Sequence, residues 1–146
     1  FKKECIFKTT HYANILDVED KINKYDIIIS NSVLEHVNDL KKIAKKIKLL
    51  SHDKTIHMHC VDFGNHSSTE NVFAKIYDYH PNSHKNVKGI NFLRSSDILN
   101  IFRNEDIDLK EVNLLRFELK NNKIHDYWNK YKINDLEKGV SIFINN

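Results

Sequence analysis

The chain has 146 residues, of which 40% are apolar and 29% are charged, with a formal net charge of +3. This composition argues against disorder and predicts one domain, 1–146, with a buried core. The lysines are spread along the chain rather than clustered, so we expect no nucleic-acid partner.

The chain also lacks the sequence features of membrane and disulfide-rich proteins. No apolar stretch approaches the ~20 residues that a membrane-spanning helix needs. Cys5 and Cys60 are the only cysteines, too few and too far apart to suggest a disulfide framework. We therefore expect a cytoplasmic protein without a membrane partner.

A strand and a helix are the clearest elements of the first half. Residues 25–29 form a continuous apolar run, which predicts a buried parallel strand, whereas 5–7 and 15–18 fit no element clearly. Asn38 or Asp39 can cap the helix that follows. Its apolar residues recur at helical spacing, with lysines largely on the other face. They are Leu40, Ile43, Ala44, Ile47 and Leu50.

A second strand is predicted over 55–61, after a return at 51–53, because its branched and apolar residues suit a pleated surface. Strand, helix and strand in this order imply a right-handed parallel crossover. The polar segment 62–91 follows. Within it, Ser67 and Glu70 have capping-box spacing, which predicts one short helix ahead of four apolar residues. These are Val72, Phe73, Ile76 and Tyr77.

The last third predicts one helix and two strands. Ser95 or Ser96 can cap the helix, residues 107–117 predict a strand, and residues 140–144 predict the final strand. Between these strands lie aromatic residues that could stack on a sugar but are more typical of a core. They are Tyr127, Trp128 and Tyr131.

Polar residues follow the first predicted strand abruptly. Ser30, Asn31 and Ser32 end it, and Glu35 and His36 come shortly after. In α/β folds, chemistry is placed at the carboxyl ends of strands. The run resembles the fourth strand and following loop of class I S-adenosylmethionine-dependent methyltransferases.

Two later motifs extend the resemblance, which reaches from about Asp17 to the end of the chain. His59, Asp62 and His66 resemble a His-x-x-Asp-x-x-x-His stretch that follows the fifth strand in a subset of these enzymes. Asn91, Arg94 and Asp97 resemble an Asn-x-x-Arg-x-x-Asp entry into the next helix. The resemblance implies an α/β fold with a partial Rossmann-like sheet, parallel strands, an antiparallel last strand and helices on the faces.

The resemblance also implies roles for individual residues. The cofactor would be S-adenosylmethionine, contacted by Asp17 and Val18 at the adenine and by Ser30, Asn31 and Ser32 at the methionine end. His36 would be the catalytic base; the alternative is a loop histidine bonded to backbone. A small acceptor such as a sugar would contact Glu35, Asp62, His66 and Arg94, although a surface ion pair with Asp97 explains Arg94 equally well. No metal ligand is implied.

The sequence departs from the family at its beginning. Class I enzymes hold the cofactor with a glycine-rich loop, because a side chain there would block close backbone approach. Here the glycines, Gly64, Gly89 and Gly139, are isolated. We therefore expect the chain to be the C-terminal portion of a class I methyltransferase domain, one that binds cofactor poorly alone and can pair as a homo-oligomer through its sheet edge.

Two other functional classes remain open. His57 and His59 project from one side of a strand, and with Asp62 they could bind zinc or iron as a metal-dependent hydrolase does. Against this, the usual two-metal spacing places the acid two residues after the second histidine, where Val61 stands. A non-catalytic interaction module is the third interpretation.

Overall fold

The computed structural model describes residues 14–18, 24–68, 71–119 and 124–145. Short 3₁₀ turns lie at Ile15–Asp17, Leu34–His36 and Asp126–Lys130. Within the described ranges, no helix has both the length and the apolar character needed to cross a membrane. The main elements in chain order are β1 (Tyr25–Asn31), α1 (Leu40–Leu49), β2 (Ser51–Asp62), α2 (Ser95–Arg103), β3 (Lys110–Arg116), α3 (Ile133–Leu136) and β4 (Lys138–Ile144).

The four strands form one mixed sheet in the order β1-β2-β4-β3. β1 pairs with β2 in parallel, and β4 is antiparallel to both β2 and β3. The α/β class and the antiparallel last strand therefore agree with the prediction. The parallel pairing brings the carboxyl ends of β1 and β2 to the same edge, where Ser30 is opposite His59 and Asn31 is opposite Cys60.

α1 forms where the sequence predicts a helix, for two local reasons. Asp39 caps it, because its side-chain oxygen accepts a hydrogen bond from the backbone N–H of Lys42 at 3.0 Å. Its buried residues recur on one side and pack against the sheet and α2. They are Leu40, Ile43, Ala44 and Ile47.

Helices pack on one face of the sheet, and within the described ranges the other face is exposed to solvent. The first, here the helix-covered face, packs under α1 and α2 and includes Val61 and Phe143 in the main core. The second, here the open face, carries apolar side chains that stay 37–59% exposed. They are Ile27, Ile29, Ile56, Met58, Val112 and Leu114. Period-two alternation along each strand produces this division.

A second core packs aromatic and aliphatic side chains from the loop between β2 and α2 against the segment before β4. Trp128 is fully buried, and Tyr127 and Tyr131 pack around it, so the aromatic cluster is core, as the sequence favours. Its buried members are Phe73, Ile76, Tyr77, Trp128 and Leu136.

Some predicted boundaries are wrong. β2 begins at Ser51 rather than after a turn at 51–53, with a register shift between the pairs Tyr25–Ser51 and Ile27–Ile56. Residues 72–76 form turns, not the predicted short helix, because their apolar side chains are drawn into the second core. α2 begins at Ser95 with Arg94 as its N-cap residue. Glu70 and the segment 5–7 lie outside the described residues.

Candidate functional site

The candidate site lies at the carboxyl edge shared by β1 and β2. The 3₁₀ turn Leu34–His36 follows β1, and the loop 63–68 follows β2. Because the two strands are parallel neighbours, these connections meet. The edge brings together four of the predicted site residues: Glu35, His36, Asp62 and His66.

Glu35 is a buried carboxylate with spare hydrogen-bonding capacity. It is 4% exposed. Its Oε1 accepts a hydrogen bond from the backbone N–H of Asp62 at 3.3 Å, which ties the two connections together. Its Oε2 is buried and has no hydrogen-bond partner among the described residues. Such an oxygen is costly unless something satisfies it.

Asn91 holds the turn that carries Glu35 and His36. Its side-chain amide donates to the carbonyl oxygens of Leu34 at 2.7 Å and Val37 at 3.0 Å. Its backbone N–H donates to the Glu35 carbonyl at 2.7 Å. The sequence places Asn91 in the Asn-x-x-Arg-x-x-Asp motif. In the structure, these three hydrogen bonds attach the turn Leu34–His36 to the loop before α2.

His36 is exposed, and the Gly89 carbonyl fixes its tautomer. The His36 Nδ1 lies 2.5 Å from that oxygen. Because a carbonyl only accepts, Nδ1 carries the proton of the neutral ring, and Nε2 presents a lone pair. Gly89 has a φ of +84°, a backbone conformation that favours glycine. Sequence reasoning missed this partner, and its only signal was an isolated glycine in a polar loop.

His66 faces His36 from the loop after β2. The two ring centroids are 5.0 Å apart, with the rings nearly perpendicular. The His66 Nε2 lies 3.5 Å from Asp62 Oδ2, and Asp62 Oδ1 accepts from the Gly64 N–H at 2.7 Å. Asp62 is thus held by backbone, and its other oxygen lies within ion-pair distance of His66.

The three groups Glu35, His36 and His66, here the edge cluster, converge on one point. Their candidate ligand atoms all lie within 4.8 Å of one another. Beside one of them, His66, is a cleft of about 240 Å³ that His66 and Asp62 line in part. The edge therefore combines two imidazoles, two carboxylates and room for a small molecule.

The residues predicted to contact the cofactor lie in two places. Ser30 is at the end of β1, with Oγ 2.8 Å from His59 Nδ1, while Asn31 and Ser32 are exposed beside it. Asp17 and Val18 lie at the 3₁₀ turn before β1, where the Val18 carbonyl accepts from Lys46 of α1. In the described part of the chain, the hydrogen bonds of Asp17 and Val18 do not connect these two residues to the edge cluster.

Arg94 is internal. It is 2% exposed, and its guanidinium donates to the Tyr77 hydroxyl and, at 3.3 Å, to the Phe63 carbonyl. The crevice it shares with Glu35 and Asp62 has a volume of about 10 Å³, room for roughly one water. Asp97 accepts from the Arg94 backbone N–H at 2.8 Å instead of forming a surface ion pair with the guanidinium.

The structure argues against the alternative metal site formed by His57, His59 and Asp62. His57 and His59 do share one face, with ring centroids 6.1 Å apart, but it is the helix-covered face, where they are 3% and 0% exposed. Asp62 is three residues beyond His59, so strand alternation sends its side chain to the opposite face. The three side chains do not share one binding point.

Burial sets the electrostatics of these two histidines. Burial first, and the nearby His57 second, lower the pKa of His59 to about 4. Burial, followed by the positive charge of Lys48, also lowers the pKa of His57. On the other side of β2, burial and then the carboxylates of Glu35 and Asp62 raise the pKa of the Cys60 thiol. The buried histidines are therefore neutral and the thiol protonated at neutral pH.

Comparison with known proteins gives one distant structural likeness. No protein-family model and no curated protein matches the chain. The chain is similar to a solved structure from Listeria monocytogenes described as a candidate S-adenosylmethionine-dependent methyltransferase, with 10% identity and a TM-score of 0.46. The match covers 94% of this chain and 70% of that one. The likeness is too distant to assign a fold family or an activity.

Two features of the edge could be found only in three dimensions. The sequence suggests Glu35 as a helix-proximal glutamate, a type that is commonly solvated, yet it is buried, and one of its oxygens has no partner in the part of the chain that the structure describes. Gly89 is distant in sequence from His36 and becomes its partner only through the path of the loop before α2. Both follow from tertiary packing, not from local pattern.

Proposed function

We propose that the chain is the C-terminal portion of a class I S-adenosylmethionine-dependent methyltransferase domain. The observation that carries the proposal is the polar carboxyl edge of a parallel strand pair, where residues of the family-like motifs converge. The antiparallel β4 beside this pair supports the same assignment. The proposed reaction moves a methyl group to an oxygen or nitrogen of a small acceptor, for which a sugar is the leading candidate.

In this proposal the donor lies against the end of β1. Asn31 and Ser32 are exposed there and offer amide and hydroxyl groups. Ser30 contributes by position, because His59 holds its hydroxyl. Asp17 and Val18 are the proposed adenine contacts.

The acceptor occupies the cleft beside Asp62 and His66. For a hydroxyl acceptor, the oxygen attacks the methyl carbon as the bond from that carbon to the sulfonium sulfur breaks. The hydroxyl proton passes to His36 Nε2, which is the unprotonated nitrogen of this tautomer. S-adenosylhomocysteine and the methylated acceptor are the products.

Two predicted acceptor contacts take indirect roles in the proposal. Arg94 faces Tyr77 and Phe63 in the interior, so it positions the end of β2. Glu35 ties the loops after β1 and β2 together through Asp62, and its second oxygen has no hydrogen-bond partner within the described ranges.

The open face supports the view that part of the domain lies upstream. A sheet with antiparallel strands can leave one face to solvent, but such a face is usually polar, whereas this face exposes apolar side chains from three strands in the described ranges. The sequence also supplies no glycine-rich loop to cradle the cofactor. A cytoplasmic location, the absence of nucleic-acid and membrane partners, and homo-oligomer formation through the sheet edge belong to the same proposal.

Calorimetric titration of S-adenosylmethionine tests the proposal on the chain extended upstream as it is encoded. We expect micromolar affinity in the extended protein and at least tenfold weaker binding by residues 1–146 alone. Asn31→Ala and Ser32→Ala should weaken binding, whereas the exposed Asn82→Ala serves as a matched control. An extended, folded protein that releases no heat would support the non-catalytic module instead.

A further inference from the structure

The edge cluster has the composition and arrangement of a metal site. Two imidazoles and one carboxylate converge with their ligand atoms within 4.8 Å of one another. Zinc bonds to such atoms are ~2.0–2.2 Å long, so two ligands of one tetrahedral ion lie roughly 3.4 Å apart. His36 and His66 are exposed, so their rings can close this difference without disturbing the core. We propose that Glu35, His36 and His66 bind one divalent transition-metal ion, with zinc as the best match.

Glu35 is the anchor of this site. A carboxylate that is 4% exposed, with one oxygen unpartnered among the described residues, needs a compensating group. A metal ion supplies that compensation. The other oxygen already accepts from the Asp62 N–H, so Oε2 is the oxygen left to coordinate.

Each of the two histidines already has a nearby partner of the kind that ligating histidines usually have. In metal sites, the ring nitrogen that does not bind the ion typically donates to a backbone carbonyl or a carboxylate. His36 has this arrangement, because its Nδ1 donates to the Gly89 carbonyl and Nε2 remains available. Asp62, 3.5 Å from the His66 ring, supplies the corresponding carboxylate.

The number of ligands indicates a site that also binds a small molecule. Three protein ligands leave coordination positions open, which is typical of catalytic rather than structural zinc. The 240 Å³ cleft lies beside His66. Resting on the proposed function, the acceptor hydroxyl would occupy an open position and lose its proton to solvent water, because the ion stabilises the resulting oxygen anion; His36 would then act as a ligand in place of the base of the metal-free reaction.

Metal binding is tested on the purified 146-residue chain, freed of metal with a chelator and without S-adenosylmethionine. Titration with Zn²⁺ in a chelator-competition assay should give one ion per chain. The Co²⁺-loaded chain should show a visible ligand-field spectrum. His36→Ala and His66→Ala should each weaken Zn²⁺ binding at least 100-fold and abolish that spectrum, and Asp62→Asn should weaken binding about 10- to 100-fold.

Two controls separate this site from incidental histidine binding. The exposed His84→Ala should change Zn²⁺ affinity less than twofold. His80 and His125 form another histidine pair, with ring centroids 6.0 Å apart, and their double alanine variant should likewise retain the single ion. Glu35→Gln should match the histidine variants if its melting curve shows that it folds; otherwise the two exposed histidine variants decide.

The inference is overturned if the chain binds no Zn²⁺, if binding survives in His36→Ala and His66→Ala, or if the control pair abolishes it. Failure of the proposed function is a separate result. It would appear as absent S-adenosylmethionine binding by the extended protein, measured without metal, whatever the result of the Zn²⁺ titration.

Discussion

Two pairs of histidines in this protein have opposite environments. The core pair, His57 and His59, lies on the helix-covered face, where burial lowers both pKa values. The edge pair, His36 and His66, is exposed at the carboxyl edge beside Asp62. The sequence makes the core pair look like metal ligands because of their spacing, but the edge pair is the one that meets carboxylates. The spacing of two histidines along a strand determines that they lie on the same face of the sheet. Tertiary packing determines whether that face is buried under helices or lies near carboxylates.

The largest expected loss of stability comes from removing the aromatic ring of Phe102, which packs against His59 of the core pair. Phe102 is fully buried, with its ring centroid 5.2 Å from that of His59. Phe102→Ala should lower the free energy of unfolding by about 4 kcal/mol, as large-to-small core substitutions do. Ile29→Ala on the open face, where Ile29 is 59% exposed, should cost less than about 1 kcal/mol. Urea unfolding measures both, and equal losses would contradict the division into two faces.

Acid should destabilise the protein through the core pair. His59 has a folded-state pKa of about 4 against an ordinary value of 6.5, so the unfolded chain binds more protons between these values. The free energy of unfolding should therefore fall by about 3 kcal/mol as the pH decreases from 6.5 to 4, with His57 adding in the same direction. His59→Gln should flatten this dependence in urea unfolding across pH, whereas His84→Gln should not. An unchanged slope in His59→Gln would count against a neutral, buried His59.

The edge pair should matter for turnover. In the extended protein, His36→Ala should lower kcat about 100-fold, within the range of general acid–base contributions. In protein freed of metal, the expected change in the acceptor KM is small, because His36 then acts on the proton and not on acceptor affinity. Steady-state methyl-transfer rates measure this, with His84→Ala as the control. Full activity in His36→Ala would remove His36 from the reaction.

Gly89 accepts a hydrogen bond from His36 of the edge pair, and replacing Gly89 should destabilise the protein less than the core substitutions do. Gly89→Ala should lower the free energy of unfolding by about 1 kcal/mol, because φ is +84° and an alanine there is strained. Among the described residues, no heavy atom outside the two adjoining residues lies within 4 Å of the added Cβ, so the loss reports backbone conformation. Thermal unfolding of Gly89→Ala beside Lys88→Ala measures it. A loss of several kcal/mol would mean that Gly89 has a packing role as well.

The smallest effect is on the stability contributed by the edge pair itself. His36 and His66 are exposed, so replacing either with alanine should change the free energy of unfolding by about 0.5 kcal/mol or less in metal-free protein. His59→Ala should cost several times more, because it leaves a cavity beside Phe102. Urea unfolding measures the loss of stability in all three variants. Equal losses would contradict the assignment of the core pair to the interior and of the edge pair to the surface.

The sequence by itself determined the elements whose pattern is local. α1 and α2 follow from apolar periodicity and polar ends, and the parallel pairing of β1 with β2 follows from the crossover rule. β1 follows from its continuous apolar run, but the prediction that it is buried is wrong, because Ile27 and Ile29 are exposed on the open face. The antiparallel β4 followed from the family resemblance. These features depend on neighbours a few residues away or on well-established connection rules.

Only the tertiary structure decided which polar groups are buried and which partners they find. Arg94 is internal, one oxygen of Glu35 is buried without a partner among the described residues, and Gly89 fixes the ring of His36 across 53 residues of sequence separation. The turns at 72–76 likewise replace a helix that the capping pattern favoured, because the second core draws in Phe73, Ile76 and Tyr77. Burial and long-range hydrogen bonding arise from packing of the whole chain, which no local spacing encodes.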